Sequence, residues 1–192
     1  TGASAGIGRA TALALASEGA MLSIAGRDET ALAELRNRIV ATGGSVLGIV
    51  QCDLSGHDGI DTAADAVANA ARPVEVLINN AGGGRPYSLD APLQADEWEE
   101  AFNLNFAAAR RLAEAALPGM RQARWGRIVT ITGALALRRM NAATPAKAAI
   151  ASWSRALSIQ LAPEGITVNC VAPGRINTDQ VLRRLSPSEE SR

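Results

Sequence analysis

Short apolar runs alternate with helical patterns along the whole chain of 192 residues. Apolar runs bounded by turn residues predict strands over residues 21–25, 46–50, 74–78, 127–132 and 166–171. Apolar residues at helical spacing predict helices over residues 11–17, 28–41, 60–71, 96–120 and 146–161. Short apolar strands that alternate with helices indicate a parallel sheet with helices on both faces. The pattern therefore predicts a doubly wound α/β fold whose ligands bind at the carboxyl ends of the strands.

Charge and cysteine content exclude several classes of function. The 19 basic and 19 acidic residues cancel, whereas a nucleic-acid-binding protein carries a basic excess. No run of about 18 apolar residues occurs, so neither a transmembrane helix nor a membrane partner is predicted. Cys52 and Cys170 lie in apolar, strand-like runs, so we expect buried thiols in the reducing cytoplasm. No Cys/His spacing indicates a metal site, and His57 is expected on the surface.

A glycine-rich loop, TGASAGIG, opens the sequence and leads into the first helix. Gly2 permits a tight turn, Gly6 a close approach of the backbone to a phosphate, and Gly8 close packing of the helix on the sheet. The N–H groups at the start of that helix can then bind a pyrophosphate. The strand expected before such a loop is absent from this sequence, so a plain loop stays an open interpretation.

The basic residues are unusually uniform, because 18 are arginine and only one, Lys147, is lysine. Tyr87 is likewise the single tyrosine of the sequence. Codon usage alone can produce such a bias. However, a lone lysine among arginines raises the question of what only a compact ammonium can do at that position.

Several motifs follow one another along the chain. They are TGASAGIG, Asp53 in CDLS, NNAG at residues 79–82, Asn105 seven residues after Trp98, Lys147, and Pro173-Gly174 with Thr178. In spacing and order these motifs resemble those of the short-chain dehydrogenase/reductase family, over essentially the whole chain. The resemblance implies a Rossmann-type fold, a nicotinamide dinucleotide and a small-molecule substrate. The cofactor-binding residues that it implies are Gly2, Ser4, Gly6, Ile7, Gly8, Arg27, Asp53, Leu54, Asn80, Ala81, Gly82, Lys147, Pro173, Gly174 and Thr178.

The same resemblance bears on the extent of the chain. The family's first strand would precede Thr1, and its last strand and helix would follow Arg192. We therefore expect residues 1–192 to be a single dinucleotide-binding domain that lacks these elements. Family members pair through two long helices, here residues 96–120 and 145–161, which implies a homodimer or homotetramer for the full-length protein.

The residue after the second strand of the family fold indicates which nucleotide is bound. An acidic residue there binds the ribose 2′-hydroxyl of NAD, whereas an arginine suits the 2′-phosphate of NADP. Arg27 occupies this position, and Arg9 in the first helix can assist it, so NADP(H) is favoured over NAD(H). The alternatives are a solvated Arg27 and, for its neighbour Asp28, a helix N-cap.

Two of the four catalytic positions of the family are changed in this chain. The resemblance assigns Asn105 to the proton relay and Lys147 to the nicotinamide ribose. The family tyrosine lies four residues before the lysine, where this chain has Ala143. The best match to the family serine is Gly133. The usual proton donor is therefore missing, although hydride transfer still needs only the cofactor and the correct orientation.

Three side chains are candidates to replace the missing groups. Thr132 or Thr130 can supply a hydroxyl, but only one of two neighbouring strand positions faces a given side. Tyr87 is the candidate to replace the missing acid, although the favoured interpretation is that it is an ordinary loop residue without a catalytic role. We predict an NADP(H)-dependent oxidoreductase that acts on a carbonyl or alcohol substrate through an atypical active site. The alternative is a non-catalytic nucleotide-binding or oligomeric scaffold protein on the same fold.

Overall fold

The computed structural model describes residues 1–133, 140–174 and 176. Within these residues the strands are β1 (Met21–Gly26), β2 (Ser45–Gln51), β3 (Val76–Asn79), β4 (Gly126–Ile131) and β5 (Ile166–Val171). The helices are α1 (Gly6–Ser17), α2 (Glu29–Ala41), α3 (His57–Ala68), α4 (Ala95–Phe102), α5 (Ala108–Ala123) and α6 (Ala143–Leu161). A π-helical turn, Asn103–Ala107, joins α4 to α5, and a 3-10 turn, Ala162–Glu164, follows α6. Each predicted strand is confirmed, and helix is found at each predicted position.

The chain forms two compact units, of which the first comprises Thr1–Cys52 with the residues from Gly174 onward. Its strands β1 and β2 are parallel, from the pair Met21 and Ser45 to the pair Gly26 and Gln51. Helix α2 presents Leu32, Leu35 and Ile39 at helical spacing, and all three are completely buried in the core of this unit. The amphipathic pattern of α2 therefore holds the helix on the two strands.

The second unit comprises Asp53–Pro173 and contains three parallel strands in the order β3-β4-β5. Ile128 on β4, Ile166 on β5 and Ile150 on α6 are almost completely buried, and α6 packs against β5. On α5, the buried residues Leu112, Ala113, Ala116 and Met120 share one helical face, because Ala116 lies three or four positions from each of the others. The prediction that a single domain spans residues 1–192 stays a prediction.

The helical stretch predicted over residues 96–120 is confirmed, and the π-helical turn divides it into α4 and α5. Asn105 uses its side-chain Nδ2 to donate to the carbonyl of Ala101 at 2.9 Å, the carbonyl that its own N–H would bind in an α-helix. The N–H of Ala108 correspondingly bonds the carbonyl of Asn103, five residues back. A side-chain amide that competes with the backbone is thus the physical reason for the extra residue in this turn.

The two cysteines differ in environment. Cys52 follows β2 and is buried, as predicted, and its N–H donates to the Gly26 carbonyl at 2.9 Å. The prediction of a buried Cys170 is wrong, because the buried positions of β5 end at Val168 and Cys170 is exposed. In the described part of the chain, no helix is both long and apolar enough to span a bilayer.

Candidate active site

Lys147 lies in the second turn of α6, with its side chain directed at the carboxyl end of β4. Its Nζ donates to the backbone carbonyl of Thr132 at 2.9 Å. Burial lowers the pKa of the Lys147 ammonium below its ordinary value of 10.5, because a partly desolvated charge is less stable than the neutral amine. The single lysine of the sequence is therefore part of a partly buried site at a strand end.

Asn105 is buried in the π-helical turn and binds the loop that follows β3. Its Nδ2 donates to the carbonyl of Gly83 at 3.2 Å, and its Oδ1 accepts from the N–H of Gly83 at 3.2 Å. Together with the bond to Ala101, both amide hydrogens and the amide oxygen are engaged. This reciprocal pair fixes the backbone of the loop beside Asn105.

Gly82 lies where Lys147 and Asn105 come together. A Cβ atom on Gly82 would be 3.1 Å from Asn105 Oδ1 and 3.4 Å from Lys147 Nζ. Ordinary Cβ contacts are longer than the first of these distances. The close approach of the amide, the ammonium and the loop therefore depends on a residue without a side chain.

The two positions that the resemblance matches to the family's tyrosine and serine both flank Lys147. Ala143 is the first residue of α6, one helical turn before the lysine, and only 6% of its surface is exposed. A Cβ atom on Gly133 would lie 3.9 Å from Lys147 Cδ, which is ordinary van der Waals contact. The structure therefore leaves room for a small side chain at position 133, next to the stem of the lysine.

Thr132 contributes its backbone to this cluster. Its carbonyl accepts from Lys147, while its hydroxyl donates to the carbonyl of Val171 at 3.2 Å. Thr130 is also buried in β4. Because the hydroxyl hydrogen of Thr132 is directed at β5, only the lone pairs of that oxygen remain for another partner. The catalytic role of Thr132 stays a prediction.

Tyr87 packs against α4. Its ring meets that of Trp98 edge to face, with 5.3 Å between centroids, and its N–H donates to the Met140 carbonyl at 3.2 Å. The structure thus places Tyr87 with α4 and with the segment before α6, while Lys147, Asn105, Gly82 and Thr132 form the cluster described above. Its role as a substitute acid stays a prediction.

Two residues that the sequence did not single out connect the loop after β3 to the start of α6. Asn141 Oδ1 accepts from the N–H of Arg85 at 2.9 Å and from the N–H of Ala143 at 3.0 Å. The Arg85 guanidinium in turn forms ion pairs with Glu97 and Glu100 of α4. An asparagine just before an alanine-rich helix is a capping signal that sequence reasoning could have used for Asn141.

The glycine loop belongs to the first compact unit. Gly2 and Gly6 have φ of 64° and 54°, in the left-handed region that favours glycine. Gly8 is buried in α1, whose first residue is Gly6, and Ile7 between them is partly buried. The Oγ of Ser4 lies 3.5 Å from the point that a Cβ on Gly26 would occupy, which places the loop at the carboxyl end of β1.

The end of β1 also carries the residues predicted to select the nucleotide. Arg27 is exposed, and its carbonyl accepts from Gln51 Nε2 at 3.3 Å. Asp28 Oδ1 accepts from the N–H of Ala31 at 2.9 Å, which confirms that Asp28 caps α2. Among the residues that the structure describes, Arg9 Nε is buried without a hydrogen-bond partner.

Two of the predicted cofactor-binding residues, Asp53 and Leu54, begin the second unit. Asp53 is exposed, and its Oδ1 accepts from the N–H and the hydroxyl of Ser55 at 3.0 and 2.8 Å. Leu54 is buried. His57 is on the surface, as predicted, where its Nε2 lies 3.0 Å from a Glu99 carboxylate oxygen. Asp53 thus shapes its own turn.

The remaining predicted residues lie near strand ends or outside the described residues. Asn80 and Ala81 follow β3 and are partly buried. Pro173 follows β5 in the second unit, while Gly174 is assigned to the first. Thr178 lies outside the residues that the structure describes. Among the described residues, no group of three or more His, Cys, Asp or Glu side chains can hold a metal ion.

Comparisons with known proteins agree with this geometry. The short chain dehydrogenase family matches residues 1–188. The 3-oxoacyl-[acyl-carrier-protein] reductase FabG of Pseudomonas aeruginosa is 34% identical over 182 residues, covering 93% of this chain and 73% of the relative. The 7alpha-hydroxysteroid dehydrogenase of Escherichia coli K12 is 30% identical, covering 100% of this chain and 75% of the relative.

Solved structures give the same result. A short-chain dehydrogenase from Sphingobium yanoikuyae, in complex with NADPH, matches with a TM-score of 0.87 and 31% identity. That match covers 95% of this chain and 72% of the other. The resemblance and the Rossmann-type α/β fold predicted from the sequence are confirmed.

Proposed function

The chain belongs to the short chain dehydrogenase family, and from this premise we propose that it is an NADP(H)-dependent oxidoreductase with an atypical active site. Its substrate is a carbonyl compound or an alcohol. The observation that carries the proposal is the cluster of Lys147, Asn105 and Gly82, in which an ammonium, a fixed amide and a glycine loop meet at the ends of two strands. A ribose with two hydroxyl groups suits such a cluster, because the ammonium is a strong donor to hydroxyl oxygens.

The first unit has features that suit the phosphates of a dinucleotide. Left-handed Gly2 and Gly6 open the loop before α1, and the N-cap residue Ala5 has no side chain that could occupy the first N–H groups of that helix. The orphaned Nε of Arg9 in α1 is a further donor for an anion. When bound, the nicotinamide dinucleotide supplies or accepts the hydride.

The preference for NADP(H) rests on Arg27. Fluorescence titration of Arg27→Ala with NADPH and with NADH tests it, with Arg36→Ala on the exposed face of α2 as the matched control. One charged hydrogen bond is worth about 1.5–3 kcal/mol, so we expect NADPH affinity to fall by about 10- to 100-fold. NADH affinity and the Arg36→Ala variant should be unchanged. Equal binding of both nucleotides by the parent chain would contradict the preference.

A non-catalytic nucleotide-binding or scaffold protein is the second candidate, and Ala143 and Gly133 are the observations that favour it. NADPH oxidation with a panel of ketones, measured on the full-length protein, separates the two functions. Clear NADPH binding without turnover would refute catalysis and support the second candidate. Turnover by the parent chain supports the first.

The double variant Gly133→Ser/Ala143→Tyr sharpens this comparison. If the chain has lost only the family's acid, the variant should gain ketone reduction, because a positioned general acid is typically worth about 10²–10⁴ in rate. Among the described residues, the atom nearest to the new Cβ of Gly133→Ser is Lys147 Cδ at 3.9 Å, an ordinary van der Waals contact that needs no rearrangement. Gly133→Ala with Ala143→Phe is the matched control without hydroxyl groups. No gain over that control would count against the second candidate.

A cytoplasmic homodimer or homotetramer of the full-length protein completes the proposal. Phe102 at the end of α4 and Ile159 on α6 are exposed large apolar residues, as helix pairing requires. Gel filtration with light scattering on the full-length protein measures the assembly, and a clean monomer would contradict it.

A further inference from the structure

We propose that Lys147 is itself the proton donor in carbonyl reduction by this chain, and the proton acceptor in alcohol oxidation. This inference rests on the proposed oxidoreductase function. It differs from a purely ribose-binding role for the lysine, because the ammonium would exchange a proton with the substrate oxygen. The geometry around the changed positions 143 and 133 points to it.

The side chain of Lys147 points toward the carboxyl end of β4. The Nζ donates to the Thr132 carbonyl at 2.9 Å, so the ammonium lies at the carboxyl end of β4, beside the position that matches the family serine. It also lies 3.4 Å from the point that a Cβ on Gly82 would occupy. An ammonium has three donors, and the Thr132 carbonyl uses one. A substrate oxygen at this strand end can take another.

The other residues of the cluster cannot donate a proton to the substrate. Both amide hydrogens of Asn105 are directed at backbone carbonyls, and an amide does not give up a proton. The hydroxyl of Thr132 donates to the Val171 carbonyl. Ala143 and Gly133 carry no polar side-chain atom. Of the side chains in this cluster, Lys147 is the one with an acidic proton and a direction toward the strand end.

The environment of Lys147 makes its ammonium more acidic. Burial lowers the pKa of Lys147, so its ammonium gives up a proton more readily than that of an exposed lysine. The carboxylates on the elements that pack against α6 form ion pairs with residues other than Lys147. Glu97 and Glu100 pair with Arg85, Glu99 pairs with His57, and Glu164 pairs with Arg121. Asp96 of α4 accepts from the N–H of Glu97. Cys170 is the titratable residue of β5, and Arg155 is the other cation of α6. None of these contributes to the shift, which has burial as its cause.

The proton passes between the Lys147 ammonium, the substrate oxygen and the solvent. In reduction, the carbonyl carbon would accept a hydride, which a bound dihydronicotinamide would supply, and the π-electron pair of the carbonyl would move to its oxygen. One N–H bond of the Lys147 ammonium breaks as the O–H bond forms, which leaves a neutral amine. A solvent proton restores the ammonium. In oxidation, the neutral amine takes the hydroxyl proton as the hydride leaves for the oxidised nicotinamide.

Lys147→Arg tests the proposal, because arginine keeps the positive charge but cannot be deprotonated in a protein. At saturating NADPH, so that a change in cofactor affinity does not enter the comparison, we expect turnover lower by about 10²–10⁴-fold. In Lys147→Ala, primary amines in the buffer should restore turnover with a rate that depends on the pKa of the amine. Unchanged turnover in Lys147→Arg, or loss of turnover in Tyr87→Phe while Lys147→Arg stays active, would overturn the proposal.

A measurement without turnover is possible because Lys147 is the single lysine. Reductive methylation with ¹³C-formaldehyde gives Lys147 its own NMR signal, which the Lys147→Arg variant identifies by its absence. We expect the signal to titrate below 10.5, the ordinary value. Titration at or above that value would overturn the acid role even in an active enzyme. NADPH binding without any turnover by the parent would instead refute the oxidoreductase function, and this proposal with it.

Discussion

Replacing Asn105 by alanine tests whether the reciprocal bond to Gly83 fixes the loop after β3. The change removes three hydrogen bonds, one to Ala101 and two to Gly83. The Ala101 carbonyl can be recovered by the N–H of residue 105 if the π-helical turn reverts to an α-helix, so its loss is partly compensated. The two bonds to Gly83 have no such substitute. At about 0.5–1.5 kcal/mol each, they predict a loss of about 1–3 kcal/mol in the free energy of unfolding.

Urea denaturation followed by circular dichroism measures this loss. Asn169→Ala is the matched control, because Asn169 is exposed on β5 and its side chain makes a weak 3.4 Å contact with Thr167. We expect the control to change the free energy of unfolding by less than about 0.5 kcal/mol, as for most surface substitutions. NADPH affinity should fall in Asn105→Ala and stay constant in Asn169→Ala. Equal stability of the two variants would refute the structural role assigned to Asn105.

Two further predictions concern the neighbours of Asn105. Because burial lowers the pKa of Lys147 in the folded chain, the unfolded chain binds more protons between that pKa and 10.5, so the free energy of unfolding should rise with pH across this window. Lys147→Met should remove that rise in urea denaturation at a series of pH values, and an unchanged slope would contradict the assignment. Gly82→Ala should weaken NADPH binding about tenfold in fluorescence titration, the equivalent of one lost hydrogen bond, because its Cβ would be 3.1 Å from Asn105 Oδ1. Gly48→Ala, whose Cβ would meet only Ser23 Oγ at 4.0 Å, is the matched control, and a similar loss there would argue against the cluster.

The strands and the helix boundaries near caps could be predicted from the sequence, because their signals are local. Leu32, Leu35 and Ile39 have the spacing of one buried helix face, and Asp28 has the character and position of an N-cap. The π-helical turn was not predicted and the burial of Cys170 was predicted wrongly, and in both cases a distant or competing contact decides. The π-helical turn depends on the hydrogen bond from the Asn105 side chain to Ala101. Cys170 is exposed because the buried positions of β5 end at Val168.

The contacts within the cluster of Lys147, Asn105 and Gly82 could not be predicted from the sequence. The motif resemblance named Lys147, Asn105 and Gly82, but no spacing rule states that the ammonium donates to the Thr132 carbonyl or that Gly82 separates it from the amide. Such contacts join residues far apart in the chain, so periodicity carries no signal for them. Arg85 and Asn141 were missed for the same reason, since their bond links the loop after β3 to the start of α6.

The hydrogen bonds of Asn141 and Arg85 show how the backbone at position 143 is held. Asn141 Oδ1 holds the N–H of Arg85 and the N–H of Ala143 together, and the carbonyl of Arg85 accepts from the N–H of Ala142 at 3.1 Å. All three bonds use backbone N–H groups as donors, and none of them involves the side chain at position 143. A tyrosine placed there would therefore start from the same fixed helix turn, four residues before Lys147, and its ring would have to replace contacts that now bury Ala143 to 6% exposure. The start of α6 is thus held by Asn141 and Arg85 through backbone groups, independently of the side chain at position 143, one helical turn before Lys147.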